Sequence, residues 1–294
     1  MKKIKILSPA KINLDLIIKN KRKDNFHNIS SLMQPINLYD DILIELSEGD
    51  DAFELSFPDG IVNFNENLIT KAALNFFEYF KINTHVKISV KKRIPAGAGL
   101  GGGSSNAAST LIGLSKLFSI DDFSALESIA LKIGSDVPFF LYSRTSLVSG
   151  RGEVVEPYNI DKKFNYLLIF PGLYSDTRTL YEMWDTRDSL IDSAFQNEIS
   201  SHLNNQVSIN KEKFLLQNDF TPLLIPRDKT YLNIFKFLKD LGLNTYSISG
   251  SGSTIFCALD DEYDCSESLK YIESNGSFTT MKAEAFEGWH FTFD

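Results

Sequence analysis

Between residues 97 and 103 five of seven positions are glycine, after which the chain turns at once into small, helix-compatible residues. The run reads Pro95-Ala96-Gly97-Ala98-Gly99-Leu100-Gly101-Gly102-Gly103-Ser104-Ser105 and continues Asn106-Ala107-Ala108. Glycine admits left-handed backbone and leaves no side chain between main-chain N–H groups and an approaching anion. A helix from Ser104 to about Phe118 would add its unpaired first-turn donors and the positive end of its dipole to the same spot. An alternating strand (Val86, Ile88, Val90) precedes the run and an amphipathic stretch (Leu111, Leu114, Leu117, Phe118) follows it, a setting foreign to a flexible linker. The expectation is a phosphate cradle.

The kind of cradle is constrained further. A P-loop needs a lysine directly before the serine that ends the glycine run, and Gly103 stands there. Gly97-x-Gly99-x-x-Gly102 does match the dinucleotide fingerprint, with Asp121 and Asp122 spaced to hold a ribose. Against that reading, Lys87 and Lys91 alternate with the apolar residues of the preceding strand, whereas strands of a parallel sheet are apolar throughout. A nicotinamide-dependent oxidoreductase therefore stays as the rival from a different class.

At 294 residues two domains are expected, divided near the polar stretch that ends at Phe164: residues 1–160 and 161–294. A net charge of −8 argues against nucleic acid or an anionic membrane as partner. Lys91-Lys92-Arg93, directly before the glycine run, suits either attraction of nucleotide phosphates or a solvated strand end, and is assigned no role. Two cysteines, Cys257 and Cys265, have neither metal-ligand spacing nor disulfide-scaffold density. Lys11, Asn13 and Asp15 interrupt any apolar leader. The expectation is a cytoplasmic protein, a monomer or weak homodimer, whose partner is a small molecule.

Periodicity predicts strands at Ile4–Leu7, Ile12–Ile18, Leu32–Ile36 and Ile42–Leu46, then a helix over Asn67–Phe80. A helix over Asp122–Ile133 and extended structure over Val137–Leu141 follow the glycine-loop helix. The second half mixes strands (Tyr166–Phe170, Thr245–Ser249, Thr254–Leu259) with helices near Thr177–Trp184, Tyr231–Leu241 and Tyr263–Ser274, an α+β pattern. The polar segment Asp192–Lys213 receives no role.

Two polar constellations remain. In Ser8-Pro9-Ala10-Lys11-Ile12-Asn13-Leu14-Asp15, strand alternation puts Lys11, Asn13 and Asp15 on one face; a solvated row is the plain interpretation. Gly134-Ser135-Asp136-Val137-Pro138 sets an acid between a helix end and an apolar run. Phosphoryl transfer from ATP needs a carboxylate to orient the hydroxyl and a cation to offset charge on the transferred group. Asp136 and Lys11 are candidates for that pair, and a kinase that uses Mg²⁺ is the corresponding function class.

Together these segments resemble the family of galactokinase, homoserine kinase, mevalonate kinase and phosphomevalonate kinase. Ser8–Leu14, Arg22-Lys23-Asp24-Asn25-Phe26-His27, Gly134–Phe140 and Ser249-Gly250-Ser251-Gly252-Ser253 are similar, more narrowly, to its branch acting on 4-diphosphocytidyl-2-C-methyl-D-erythritol. The resemblance implies an N-terminal half like the second domain of ribosomal protein S5, a ferredoxin-like C-terminal half, and a site in the cleft between them. It implies transfer of the ATP γ-phosphoryl to the 2-hydroxyl of that alcohol, in the non-mevalonate route to isopentenyl diphosphate; a sister kinase acting on homoserine or a mevalonate derivative stays open. Lys11 and Asp136 would be catalytic, and Pro95–Ser105 with Asn67 and Leu68 would bind ATP. Asn13, Phe26, His27, Tyr181, Gly250 and Ser251 would bind the alcohol. Phe26 stands where the family commonly has tyrosine, which keeps a stacking face and loses a hydroxyl. Asn25 stands for its glycine and is among the residues that best tolerate positive φ.

Overall fold

A computed structural model describes residues 2–47, 53–56, 67–161, 164–187, 206–210, 212–260, 262–276 and 278–293. Most of Asp192–Lys213 (192–205 and 211) and Glu66, the first residue of the segment Glu66-Asn67-Leu68-Ile69 that the resemblance sets against adenine, lie outside the described residues.

In chain order the elements are β1 Lys3–Asn13, β2 Ile17–Lys21, β3 His27–Ser47, β4 Phe53–Ser56, α1 Leu68–Phe80, β5 His85–Lys91, α2 Gly102–Leu117, α3 Phe123–Ile133, α4 Val137–Tyr142, β6 Ser146–Gly150, β7 Val154–Pro157, β8 Asn165–Phe170 and α5 Thr177–Asp185. Then come β9 Gln206–Ile209, β10 Glu212–Leu215, α6 Thr221–Leu224, α7 Thr230–Asp240, β11 Tyr246–Ile248, β12 Ile255–Leu259, α8 Ser266–Gly276, β13 Thr279–Glu284 and β14 His290–Phe293.

The long strand β3 organises the first sheet, in the order β14-β1-β3-β5-β4 with β2 and β6 also on β3. β1 runs unbroken across Pro9, where a register shift between Pro9 and Ala10 accommodates the missing N–H. It ends at Asn13 rather than carrying on to Ile18. Helices α1 to α4 bury Phe76, Leu111, Leu114, Ile129 and Phe139 in one core with Ile4, Ile6, Ile42 and Ile44. The second sheet, β11-β12-β8-β13, is antiparallel. The fold is thus α+β, with these two sheets and a two-stranded β9-β10 ribbon among the described residues, and its last strand, β14, returns to pair with β1.

Two further expectations change. Val137–Leu141 is helical, not extended: Pro138 lies in the first turn, where its missing N–H has no intrahelical use, and the apolar run is buried. A short buried helix and a buried strand share one sequence signature. The dinucleotide reading also fails. β5 pairs antiparallel with β3, and Asp122 caps α3 by accepting from Ala125 N at 2.9 Å instead of facing a ribose.

Candidate active site

The glycine run forms a turn whose carbonyls face inward. Gly97 O accepts from Ser175 N (3.4 Å), Ala98 O from Thr254 N (3.2 Å), Leu100 O from Lys11 N (3.0 Å) and Gly101 O from Ser105 N (2.9 Å). Gly99 O accepts from Ser249 Oγ at 3.0 Å. With five successive carbonyls held by protein donors, the intervening amides turn outward, as in an anion-binding nest. Positive φ at Gly97, Gly99 and Gly101 makes the alternation possible. At Gly99 no other residue fits, since a Cβ would stand 2.1 Å from Ser249 O and 2.7 Å from Gly252 O. Gly101, in left-handed conformation, is the N-cap of α2, so the first-turn N–H groups and the dipole end face the same space.

That space is a cavity of about 480 Å³ lined by Pro95 to Ser104, Asn67, Leu68, Lys11, Asn13, Asp136, Gly250 and Ser251. Asn67 caps α1 by accepting from Ile69 N at 2.8 Å. Ser105 departs from the set: it is fully buried beneath the loop, with its hydroxyl 2.8 Å from Ser8 Oγ, and Asn106 lines the cavity instead.

Lys11 is 4% exposed, Asn13 2% and, two residues past the end of β1, Asp15 9%, so the polar row is buried and is no solvated face. Sequence alternation located the face but not what covers it. Lys11 Nζ lies 3.8 Å from Asp136 Oδ2 and donates to Asn13 Oδ1. Burial pushes the Lys11 ammonium below the ordinary lysine pKa, and the Asp136 charge opposes that shift. Asn13 Nδ2 donates to Ser31 Oγ (2.8 Å), which donates to Asp15 O (2.5 Å), so the amide is held with its oxygen toward the ammonium. Asp136 is the N-cap residue of α4 but makes no side-chain capping bond, which leaves its carboxylate open to the cavity.

A second cavity, of about 630 Å³, adjoins the first and contains Phe26, His27, Tyr181, Arg151 and Arg178. Asp136, Thr177 and Tyr181 line both spaces, so Asp136 marks their junction. Phe26 is 48% exposed, with the Arg151 guanidinium 5.2 Å above its ring. His27 is buried; its Nε2 is 2.8 Å from Asp185 Oδ1, and its ring stacks on Tyr181 at 5.2 Å and 12°. A bond from Lys21 and then the one from His27 hold the Asp185 carboxyl below its ordinary pKa. Asn25 adopts φ 66°, the left-handed conformation expected of it. Gly250 and Ser251 line the amide-rich cavity and not the aromatic one. Ser251 is clasped by Thr177 Oγ1 at 2.8 Å and by Ser175 Oγ, which donates to its carbonyl at 2.5 Å.

Some members of the site receive no role from the sequence. Of the Lys91–Arg93 cluster, whose sequence suits both phosphate attraction and a solvated strand end, Lys92 lines the first cavity and donates to Asp40 Oδ2. The fully buried Asp40 also accepts from Arg93 N (2.7 Å) and Ile94 N (2.9 Å), fixing the stem of the glycine loop.

Comparison with known proteins bears on the family and the fold. Residues 67–144 match the family model described as GHMP kinases N terminal domain. A protein of Thermodesulfovibrio yellowstonii named 4-diphosphocytidyl-2-C-methyl-D-erythritol kinase is 35% identical over 267 residues, spanning 90% of this chain and 92% of that protein. One of the same name from Prochlorococcus marinus (strain MIT 9301) is 35% identical over 309 residues, 99% and 95% of the two chains. Among solved structures, a 4-(cytidine 5'-diphospho)-2C-methyl-D-erythritol kinase superposes with a TM-score of 0.76 at 26% identity, covering 97% of this chain and 99% of the other. A homoserine kinase from Cytophaga hutchinsonii, at 16% identity and a TM-score of 0.70, shares the fold. With relatives this similar along nearly its whole length, and a cradle of main-chain amides facing a buried lysine and an aspartate, the chain belongs to the 4-diphosphocytidyl-2-C-methyl-D-erythritol kinase family of ATP-dependent GHMP kinases.

Proposed function

We propose that this chain transfers the γ-phosphoryl group of ATP to the 2-hydroxyl of 4-diphosphocytidyl-2-C-methyl-D-erythritol, giving the 2-phosphate and ADP, a step of non-mevalonate isoprenoid synthesis. The observation that carries the reading is the position of Asp136, 3.8 Å from Lys11 Nζ at the junction of an amide-lined cavity and an aromatic one. A donor phosphate in the first and an acceptor alcohol reaching from the second meet at that junction.

The chemistry follows from the groups present. The nest and the start of α2 hold the phosphate chain of ATP, with Asn67 and Leu68 against the adenine side. Asp136 accepts the hydrogen of the 2-hydroxyl and turns its lone pair toward phosphorus. The oxygen–phosphorus bond forms as the bond from the γ-phosphorus to its bridging oxygen breaks, and the proton passes to the carboxylate. Lys11, held by Asn13 and Asp136, stabilises charge on the transferred group in a site where burial strengthens the interaction. Phe26 offers a face to the cytosine ring, His27 and Tyr181 wall its pocket, and Arg151 and Arg178 add positive charge for the substrate diphosphate.

Among the described residues no three His, Cys, Asp or Glu side chains gather as a metal-binding group. Ser104 and Asp136 on the cavity wall are the donor set that suits Mg²⁺ held chiefly by phosphate oxygens and water. Bound there, the ion would neutralise the charge of the phosphate chain. In this reading residues 1–160 supply the ATP site and catalytic pair, and 161–294 supply Tyr181, Gly250 and Ser251. No helix among the described residues is long and apolar enough to cross a membrane.

The test is ADP release in the presence of the cytidyl-diphosphate alcohol. Lys11→Ala and Asp136→Asn should each lower kcat by about a hundredfold or more with folding intact; near-normal turnover removes that residue from the mechanism. Failure of cytidine nucleotides to compete would move the assignment to a homoserine or mevalonate kinase. Protection from thermal unfolding by NAD and not by ATP would refute the kinase reading altogether.

A further inference from the structure

Between β10 and α6 the chain passes beneath the first cavity as Gln217-Asn218-Asp219-Phe220. It is stitched to the first half of the chain: Leu16 N donates to Gln217 O at 2.7 Å and Asp219 N to Leu16 O at 3.0 Å. Asp219 Oδ2 also accepts from Ile18 N at 2.8 Å. This segment is therefore fastened to Leu16, in the link that follows β1, and to Ile18 of β2.

Asn218, at the centre, is 2% exposed. Its side-chain nitrogen donates to Ile248 O and to Gly250 O, both at 2.7 Å, and its side-chain oxygen accepts from Phe220 N at 2.9 Å. Both amide hydrogens and the amide oxygen are thus engaged, a fully satisfied buried group. The carbonyls it holds flank Ser249, the residue whose hydroxyl donates to Gly99 O of the nest and accepts from Asn13 N at 3.2 Å. Gly250 itself lies against the catalytic pair's surroundings. A Cβ there would be 2.9 Å from Asn13 Oδ1 and 3.2 Å from Lys11 Nζ.

We infer that Asn218 is a positioning residue for phosphoryl transfer, fixing the Ser249–Ser251 turn against Lys11 and the phosphate nest without itself touching substrate. The inference rests on the kinase reading above. Its physical content is that one amide, on a segment anchored at Leu16 and Ile18, sets the separation between a backbone turn and an ammonium group. A displacement of the turn would shift Lys11 and Gly99 O together while leaving most of the ATP contacts in place.

The decisive experiment compares Asn218→Ala with Leu223→Ala, a buried position in α6 that lines neither of the two cavities. Kinetics are measured on the monodisperse fraction of each, well below its Tm. Wild-type turnover is established first; its absence refutes the kinase reading and this inference with it. Asn218→Ala should lower kcat by about ten- to a hundredfold while KM for ATP changes by less than about threefold, because a misplaced reacting group slows the step more than it weakens binding. Leu223→Ala at similar loss of Tm should keep kcat within about twofold of wild type. If wild type turns over and Asn218→Ala does so at a comparable rate, if Leu223→Ala slows the reaction equally, or if the loss falls on KM for ATP, this inference alone is refuted. Should Asn218→Ala not accumulate as folded protein, Asn218→Ser, which retains one donor and one acceptor, is judged by the same criteria.

Discussion

Gly99→Ala isolates how the phosphate nest is built. Gly99 and Gly242 share the same backbone angle, φ +73°. An alanine at Gly242, just past α7, meets nothing within 4 Å, whereas at Gly99 its Cβ would lie 2.1 Å from Ser249 O and 2.7 Å from Gly252 O. Both obstacles are backbone atoms of a turn held by Asn218, so neither can rotate away as a side-chain tip would. Gly242→Ala therefore reports left-handed strain alone, about 1 kcal/mol. Gly99→Ala adds forced displacement of packed backbone, about 1–3 kcal/mol more. Urea melts of the two variants measure the difference. The functional consequence is larger, since moving the nest by about 1 Å lowers kcat/KM by about a hundredfold. If Gly99→Ala melts like Gly242→Ala and turns over ATP normally, the close packing of the two glycine turns is not what shapes the site.

Four further outcomes follow from particular contacts. Burial, opposed by a bond from Leu32 N, raises the Asp15 pKa from its usual 3.8 to about 6, so the folded state binds that proton more tightly than the unfolded one. Stability from this group is present below the unfolded value and lost as pH rises through about 6; Asp15→Asn should therefore be more stable than wild type at pH of about 8, by at most about 3 kcal/mol, and the advantage should shrink toward pH of about 4. Parallel stability–pH curves in urea melts would contradict this. Asp40→Asn removes the charge that holds Lys92 while keeping an acceptor for the loop stem, and should raise KM for ATP by about tenfold with a smaller effect on kcat, read by initial rates. Ser31→Ala frees the Asn13 amide to turn its NH₂ toward Lys11, and should lower kcat by about tenfold with KM for both substrates little changed. Phe26→Ala should weaken binding of cytidine nucleotides by about 1–2 kcal/mol in calorimetric titration and leave ATP binding unaltered.

The local features of this protein were legible in its sequence because they depend on local physics. Five glycines in seven residues can only be a backbone-dominated turn, and the apolar periods on either side fix a strand and a helix. The Asn67–Phe80 and Asp122–Ile133 helices lie within a residue of their expected limits for the same reason. Val137–Leu141 was not legible, since a run buried on every side has no period to read.

What only the tertiary structure decided is which atoms face one another. The row Lys11-Asn13-Asp15 has the pattern of a half-exposed strand and is buried because the glycine loop and the Ser249–Ser253 turn close over it. Lys92, Asp40 and Asn218 carry no motif, and their importance lies in bonds to residues as far off as Asp40 from Ile94 or Asn218 from Gly250. Composition and spacing settle which chemistry the chain can offer. Long-range packing settles the 3.8 Å between an ammonium and a carboxylate 125 positions apart in the sequence, because that distance is fixed by every element that separates them.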